Sequence, residues 1–310
     1  MKIAYEGTIG SFSHKAAEEY LPDGIYVGCR SYVEAIDRVI NDEADLAIIP
    51  VENSAMGRIS ETYNSLPKIG LYIIGEHFLP IHMYLMMTNK AVKGCPPANM
   101  DDEALLAWKL TPPTDKDRKY ALSQIAEIRS HEQGLLQCKK YLVKNFQSVK
   151  QSVSWDTAGA ARELAQEKRM DVAVIAPKWA SRYDLSVVDE EIEDDKNNTT
   201  RFLILAKEMK KEFQSPSVIT TLVFSTPHVA GALVKALDVF NRHNVNLTKL
   251  ETYMTGSHHE KPIFYVDAAF NWFAETDLVA ELKKVTEEIK LLGCYEASVL
   301  RTPESGFSPV

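Results

Sequence analysis

Asp45-Leu46-Ala47-Ile48-Ile49-Pro50 and Asp171-Val172-Ala173-Val174-Ile175-Ala176 repeat one pattern, an acidic residue followed by an unbroken apolar run. A strand that is apolar at every position is buried on both faces, as the central strand of a parallel sheet is. Two such strands so far apart predict two α/β lobes with a cleft between them. The first run continues into Glu52-Asn53-Ser54. Polar groups at the C-terminal end of a central strand stand where open α/β sheets bind ligands. Glu52 reads equally well as a helix cap or a salt-bridge partner.

Upstream, 2–5 reads as a strand, 7–13 as a polar glycine turn, and 14–21 as a helix capped by Ser13. Strand, glycine turn and helix N-terminus can bind an anion. The G-x-x-G spacing is not the dinucleotide fingerprint, and such turns also serve as plain corners. A strand at 25–29 leads to a helix at 31–41, with Ser31 and Glu34 as a capping box. A helix at 59–66 and strands at 71–76 and 81–88 follow. Met83, Met86 and Met87 read as core filling.

Beyond them, loops at 94–99 and 111–117 flank a helix over 101–110. A strand at 125–130 precedes a second capping box, Ser130 with Gln133. It opens a helix over 131–143 that buries Leu135, Cys138 and Leu142. Asp156 or Thr157 starts an alanine-rich helix. The chain is expected to leave the first lobe near Pro80 and to return after Trp179. That gives lobe one as 1–80 and 180–207, and lobe two as 81–179.

The return ends in Lys196-Asn197-Asn198-Thr199-Thr200-Arg201-Phe202-Leu203-Ile204-Leu205-Ala206. Amides, hydroxyls and one guanidinium at the mouth of an apolar strand suit a small substrate with carboxylates and a hydroxyl. They also suit a polar loop before a core strand. Chain topology predicts that Thr199, Thr200 and Arg201 lie near Glu52-Asn53-Ser54. After a polar linker at 208–217, the pattern runs strand, helix, strand, strand, helix, strand. The second helix is read over 276–292 and the last strand over 295–300. This is a ferredoxin-like βαββαβ unit without an obvious nucleophile or acid pair.

At 310 residues with 45% apolar and 25% charged content, the chain has the composition of a soluble two-domain protein. A net charge of −8 gives nucleic acid no support as a general partner. Cys29, Cys95, Cys138 and Cys294 are widely scattered and read as free thiols in a reducing compartment. His258 and His259 lie in a polar turn at 256–261 and do not make a zinc site. The lack of a secretory or membrane-length apolar stretch predicts a cytoplasmic protein with no membrane span.

Several short motifs occur together and in order. They are Gly10-Ser11-Phe12-Ser13-His14, Pro50-Val51-Glu52-Asn53-Ser54, His131 to Cys138, and Thr200-Arg201-Phe202. This set resembles the prephenate dehydratase family over nearly the whole chain. Gly231-Ala232-Leu233-Val234 and Asn246-Leu247-Thr248-Lys249 are similar to motifs of that family's small ACT-type regulatory domain. Where the family commonly continues E-S-R-P, this chain has Glu251-Thr252-Tyr253-Met254.

The resemblance implies a catalytic domain over 1–207 with periplasmic-binding-protein architecture (type II). It also implies an ACT domain over 218–303, a tail over 304–310, and assembly as a homodimer or homotetramer. The implied reaction is the decarboxylating dehydration of prephenate to phenylpyruvate in phenylalanine biosynthesis, under feedback by L-phenylalanine. Aromatisation drives it, so no cofactor or metal is required. Thr200 is implied as the donor to the leaving hydroxyl, joined by Arg201, Glu52, Asn53 and Ser54. Arg201 reads either as a substrate ligand or as a structural ion pair to Glu52 or Asp194.

Ser11, Ser13, Thr157, Thr199 and Phe202 are candidates for holding substrate. Gly231, Ala232, Leu233, Val234, Asn246, Leu247 and Glu251 are candidates for holding the effector, where two small domains meet. The rival expectations are arogenate as substrate, or an amino-acid sensor without catalysis.

Overall fold

The computed structural model describes residues 1–255, 261–302 and 307. The turn expected from 256 on, with His258 and His259, lies outside them, as does the expected tail apart from Phe307. The chain opens as β1 (Lys2–Glu6), α1 (Phe12–Tyr20), β2 (Ile25–Cys29), α2 (Tyr32–Ile40), β3 (Leu46–Asn53), β4 (Gly57–Arg58), α3 (Ser60–Ser65) and β5 (Tyr72–Pro80). Its middle carries β6 (Tyr84–Thr88), α4 (Asn89–Lys93), α5 (Asp102–Leu110), α6 (Asp115–Ser123), β7 (Glu127–Ser130), α7 (Glu132–Gln137), α8 (Lys139–Asn145), β8 (Lys150–Val153), α9 (Thr157–Glu167), β9 (Val172–Ala176) and β10 (Leu185–Asp189). It closes with β11 (Thr199–Ala206), β12 (Val218–Ser225), α10 (Ala232–Arg242), β13 (Leu247–Thr255), β14 (Lys261–Ala268), α11 (Thr276–Val285) and β15 (Glu288–Glu296).

Two compact units result. One comprises Met1–Glu6, Ala16–Leu79 and Thr199–Val310, and the other Gly7–Lys15 and Pro80–Asn198. Two stretches expected in lobe one therefore belong to the second unit. Residues 180–198 stay there because β10 pairs antiparallel with β6. The opening turn joins it because Thr8 donates to Asp156 through both its amide (3.0 Å) and its hydroxyl (2.6 Å).

The first unit is built on one sheet in the order β13-β14-β12-β15-β5-β11-β3-β1-β2, with β4 paired to β3. β1 runs parallel to β2 and β3, while β11 inserts antiparallel to β3. Ala47, Ile49, Val51, Leu203 and Leu205 pack in one buried cluster with Ile36 and Val39 of α2. The order β13-β14-β12-β15, all antiparallel, is the ferredoxin-like arrangement expected of βαββαβ. β15 meets β5 in parallel at Gly293↔Ile73. A Cβ on Gly293 would stand 2.3 Å from the Ile73 carbonyl oxygen, so this join requires glycine. Residues 207–217 carry no helix or strand.

The second unit is a five-stranded sheet in the order β10-β6-β9-β7-β8. β9, the repeat of the β3 pattern, lies at its centre and every residue of it is buried. Met83, Met86 and Met87 are core residues. Cys138 is buried, and burial raises its thiol pKa, which suits a packing role.

Local chemistry moved several element boundaries. α1 begins earlier than expected because Ser11, not Ser13, caps it, with His14 N donating to Ser11 Oγ at 3.2 Å. Ser31 caps α2 as expected, but Glu34 accepts from Arg30 N instead of Ser31 N. Ser130 does not cap α7: its hydroxyl donates to Ile175 O, and His131 Nδ1 takes the capping role on Gln133 N. The helix expected over 131–143 breaks at Cys138 into α7 and α8. α6 occupies part of an expected loop, opened by a full capping box of Thr114 and Asp117. α11 stops at Val285 because Thr286 is extended (φ −107°, ψ 151°). Ile289 and Leu292, read as continuing its stripe, belong to β15 instead.

Candidate functional site

β3 and β11 place Asn53 directly opposite Thr200 in the antiparallel register, and Glu52 opposite Arg201. The juxtaposition expected from topology is therefore present in the first unit. Asn53 Oδ1 accepts from the backbone amides of Ala55 (3.1 Å) and Met56 (2.9 Å). Backbone N–H groups can only donate, so they fix which end of the Asn53 amide faces the other way. The end that faces Thr200 is Nδ2, which donates to Thr200 Oγ1 at 2.9 Å. The Thr200 hydroxyl thus has an acceptor lone pair filled and keeps its own proton for another acceptor. Thr200 and Asn53 are both buried.

Ser54 and Thr199 close the same corner. Ser54 N donates to Thr199 O at 2.8 Å, and Thr199 N donates to Ser54 Oγ at 2.9 Å. Phe202, expected at the substrate, is buried and lies just past a shift in the β3–β11 register.

Arg201 is 1% exposed and its guanidinium is fully engaged behind the hairpin. Nε donates to Glu76 Oε2 (2.9 Å), Nη1 to Asp267 Oδ2 (2.7 Å) and Nη2 to Tyr295 OH (3.0 Å). Neighbouring residues on a strand point to opposite faces, so Thr200 and Arg201 serve different surroundings. Of the ion pairs foreseen, the one to Glu52 is present at 3.7 Å. The main partners are Glu76 and Asp267 rather than Asp194. Asp194 belongs to the second unit, where its carboxylate accepts from Lys140 N. Of the two readings of Arg201, the contacts of its side chain are those of the structural ion pair. Burial would lower its pKa, but Asp267, Tyr295 and Glu76 outweigh this and hold it well above the ordinary value. Burial alone would raise the Asp267 carboxyl, and the charges of Arg201 and Arg301 hold it below its usual range.

The ion pairing extends further. Arg301 Nη2 donates to Glu76 Oε2 at 2.7 Å, and Arg301 Nε donates to Glu76 Oε1 at 2.9 Å. Glu52 Oε2 lies 2.8 Å from Lys249 Nζ, and Arg58 Nη1 donates to Glu251 Oε2 at 3.2 Å. Four ion pairs therefore tie the strands around Thr200 to the βαββαβ module: Arg201–Asp267, Glu76–Arg301, Glu52–Lys249 and Arg58–Glu251. Glu76, Asp267, Arg301 and Lys249 were not among the residues expected from sequence. The signal for Glu76 and Asp267 is a charged residue inside an otherwise apolar strand, in Ile73-Ile74-Gly75-Glu76 and Phe264-Tyr265-Val266-Asp267.

The second unit collects a different set. Ser11, Ser13 and Thr157 are buried there. Asp156, which accepts from Thr8, also caps α9 by accepting from Ala158 N and Gly159 N. One carboxylate thereby joins the opening turn to the start of the α9 helix.

In the module, Gly231 (φ 79°) precedes α10, and Gly231, Ala232, Leu233 and Val234 line an open concavity that begins at Thr226. Asn246 and Leu247 are not among its lining residues, and Leu247 packs into the module's core. Glu251, a candidate for holding the effector, faces Arg58 and Lys249. Residues two apart share a strand face, so Lys249 and Glu251 both turn toward Glu52 and Arg58. Among the described residues, no His/Cys/Asp/Glu cluster could hold a metal ion, and no helix is long and apolar enough to cross a membrane.

A model of the prephenate dehydratase family matches residues 3–210. A bifunctional chorismate mutase/prephenate dehydratase of Enterobacter agglomerans is 30% identical over 98% of this chain and 73% of its own. Among solved structures, GqqA, described as a novel type of quorum quenching acylase, is similar at 26% identity. Its TM-score is 0.79, over 97% of this chain and all of that one. A prephenate dehydratase of Arthrobacter aurescens in complex with L-Phe is similar at 24% identity. Its TM-score is 0.76, over 96% of this chain and 90% of that one.

Proposed function

We propose, from the premise that this chain belongs to the prephenate dehydratase family, that Thr200 donates to the departing hydroxyl as prephenate becomes phenylpyruvate. Prephenate is a cyclohexadiene with a ring carboxylate, a pyruvyl side chain and a ring hydroxyl. The ring carboxylate leaves as carbon dioxide, and its bonding pair moves into the ring. The carbon–oxygen bond to the hydroxyl then breaks, and the departing oxygen takes up a proton to become water. The observation that carries this reading is the Asn53–Thr200 hydrogen bond, 2.9 Å long with Asn53 as donor. It leaves the threonine proton aimed away from Asn53, available to the leaving oxygen. A threonine hydroxyl is not acidic near neutral pH, so its contribution is that of a positioned donor beside developing charge.

Asn53, Ser54 and Thr199 hold this corner rigid, which keeps the donor in place without reorganisation during the reaction. Ser11, Ser13 and Thr157 are the groups we assign to the substrate's carboxylates. Arg201 supports Thr200 from behind, and Glu52 orients neighbouring donors. The βαββαβ module is assigned as an ACT-type regulatory domain over 218–303, joined through 208–217. L-Phenylalanine is its effector at Gly231 to Val234. The complex of the Arthrobacter aurescens enzyme with L-Phe supports that choice. The chain acts as a dimer or tetramer in the cytoplasm. Exposed apolar Val229, Val234 and Leu250 support a partner at the module.

The test is conversion of prephenate to phenylpyruvate by the purified full chain, beside a folded Thr200→Val variant. The expected result is turnover that falls by about 10²–10⁴-fold in the variant, with parent turnover reduced by added L-phenylalanine. Turnover on arogenate alone moves the substrate assignment to the amino-acid analogue. No turnover on either ring, or a fully active variant, overturns the reading.

A further inference from the structure

Lys249 belongs to the Asn246-Leu247-Thr248-Lys249 motif, yet its side chain reaches Glu52 on β3, the residue before Asn53. Its side chain is 8% exposed, and its ammonium pairs with Glu52 at 2.8 Å and lies 3.2 Å from Glu251 Oε1. It donates to Tyr63 OH at 2.7 Å and lies 4.2 Å from the centre of the Tyr63 ring. A lysine ammonium has three donors, and Glu52, Glu251 and Tyr63 account for them. Glu52 precedes Asn53 on β3, and its own β4 partner, Arg58, bonds to Glu251. Lys249 and Glu251 thus hold both sides of the turn that sets the Asn53 amide.

We propose that Lys249 is a positioning residue for the dehydration, acting through Glu52. It fixes the β3 end that carries Asn53, and so the Thr200 hydroxyl. It also keeps the Glu52 carboxylate, which faces Arg201 on the side of the strand away from Thr200, in a pair. This rests on the reaction assigned above.

The test compares full-length parent, Lys249→Met, Glu52→Gln and the double variant on prephenate, with folding checked by circular dichroism and thermal melts. Parent turnover tests the reaction itself, so its absence is a failure of that assignment and not of this one. With an active parent, K249M is expected to lower kcat about tenfold, the weight of one hydrogen-bonded contact. It is also expected to raise KM severalfold, because the end of β3 that carries Asn53 is no longer held.

The double variant is expected to have a lower KM than K249M, since no half-broken pair is left to displace the β3 end. A purely structural lysine would make the double no better than the single. Unchanged kcat and KM in K249M overturn the proposal, as does a double variant as impaired as K249M. If K249M does not fold, Lys249→Arg decides. Kinetics close to the parent's support a charge-holding role, and losses like those expected of K249M overturn it.

Discussion

Replacing both members of the Arg201–Asp267 pair should be far milder than replacing either one. Both side chains are 1% exposed, so neither charge left alone can turn to water. Arg201→Met leaves Asp267 buried with one hydrogen bond, from the Thr221 hydroxyl (2.7 Å). Asp267→Leu leaves the Arg201 guanidinium with a hydrogen bond to Glu76, already held by Arg301 through two bonds, and the longer 3.7 Å pair with Glu52. Breaking a buried pair from one side costs about 3–5 kcal/mol. In the double variant no orphan remains. Glu76 keeps Arg301, and Thr221 and Tyr295 keep the 2.9 Å hydrogen bond they already share. Apolar replacement of a whole buried pair is commonly neutral or stabilising, so the double should lie within about 2 kcal/mol of the parent. The sum of the singles should exceed the double by about 3 kcal/mol or more. Equilibrium urea titration of the four proteins, compared at matched slopes, measures this. A double variant as unstable as the two singles added together would refute the reasoning.

Asn53→Ala should lower kcat roughly three- to tenfold, the weight of one orienting hydrogen bond, and steady-state kinetics on a folded variant checks it. Gly293→Ala should destabilise the protein by about 1–3 kcal/mol, because its Cβ would collide with the Ile73 carbonyl 2.3 Å away; a melting temperature equal to the parent's would contradict that. Glu127 is held down from 4.5 to about 2, first by the Arg129 guanidinium and then by the Ser152 hydroxyl. A carboxyl depressed on folding stabilises above its unfolded pKa and loses that contribution as pH falls through the folded one. The melting gap between parent and Glu127→Gln should therefore be widest near pH 7 and close between about pH 4.5 and 2.

The parts of this molecule that rest on local pattern were legible from sequence. Runs such as 46–51 and 172–176 could only be central strands, and the alternation after residue 218 could only give βαββαβ. The meeting of Asn53 with Thr200 was also legible, because sheet topology allows few places for a returning strand. Direction and partnership were not. Nothing local shows that the Arg201 side chain turns from Thr200 toward Asp267, since that follows from which strands flank β11. The end of α11 at Val285 was hidden because Ile289 and Leu292 continue a helical spacing by coincidence while alternating in β15. Ser11 displaced Ser13 as a cap because the choice between two serines depends on where the glycine turn delivers the chain.

The four ion pairs between the β3–β5 and β11 region and the C-terminal module have a further consequence. One side carries Glu52, Glu76, Arg58 and Arg201, and the other carries Lys249, Arg301, Glu251 and Asp267. Each side is electrically neutral by itself, so overall attraction does not join them. The sign order does, as the cuts of a key fit one lock. A module borrowed from a relative with one sign reversed would set like charges together in a dry setting, which disfavours the wrong partner by more than contact area can restore. Descent can therefore alter this seam only by changing both members of a pair together. Matched substitutions at 52 with 249, 58 with 251, 76 with 301 and 201 with 267 are the record such a history would leave.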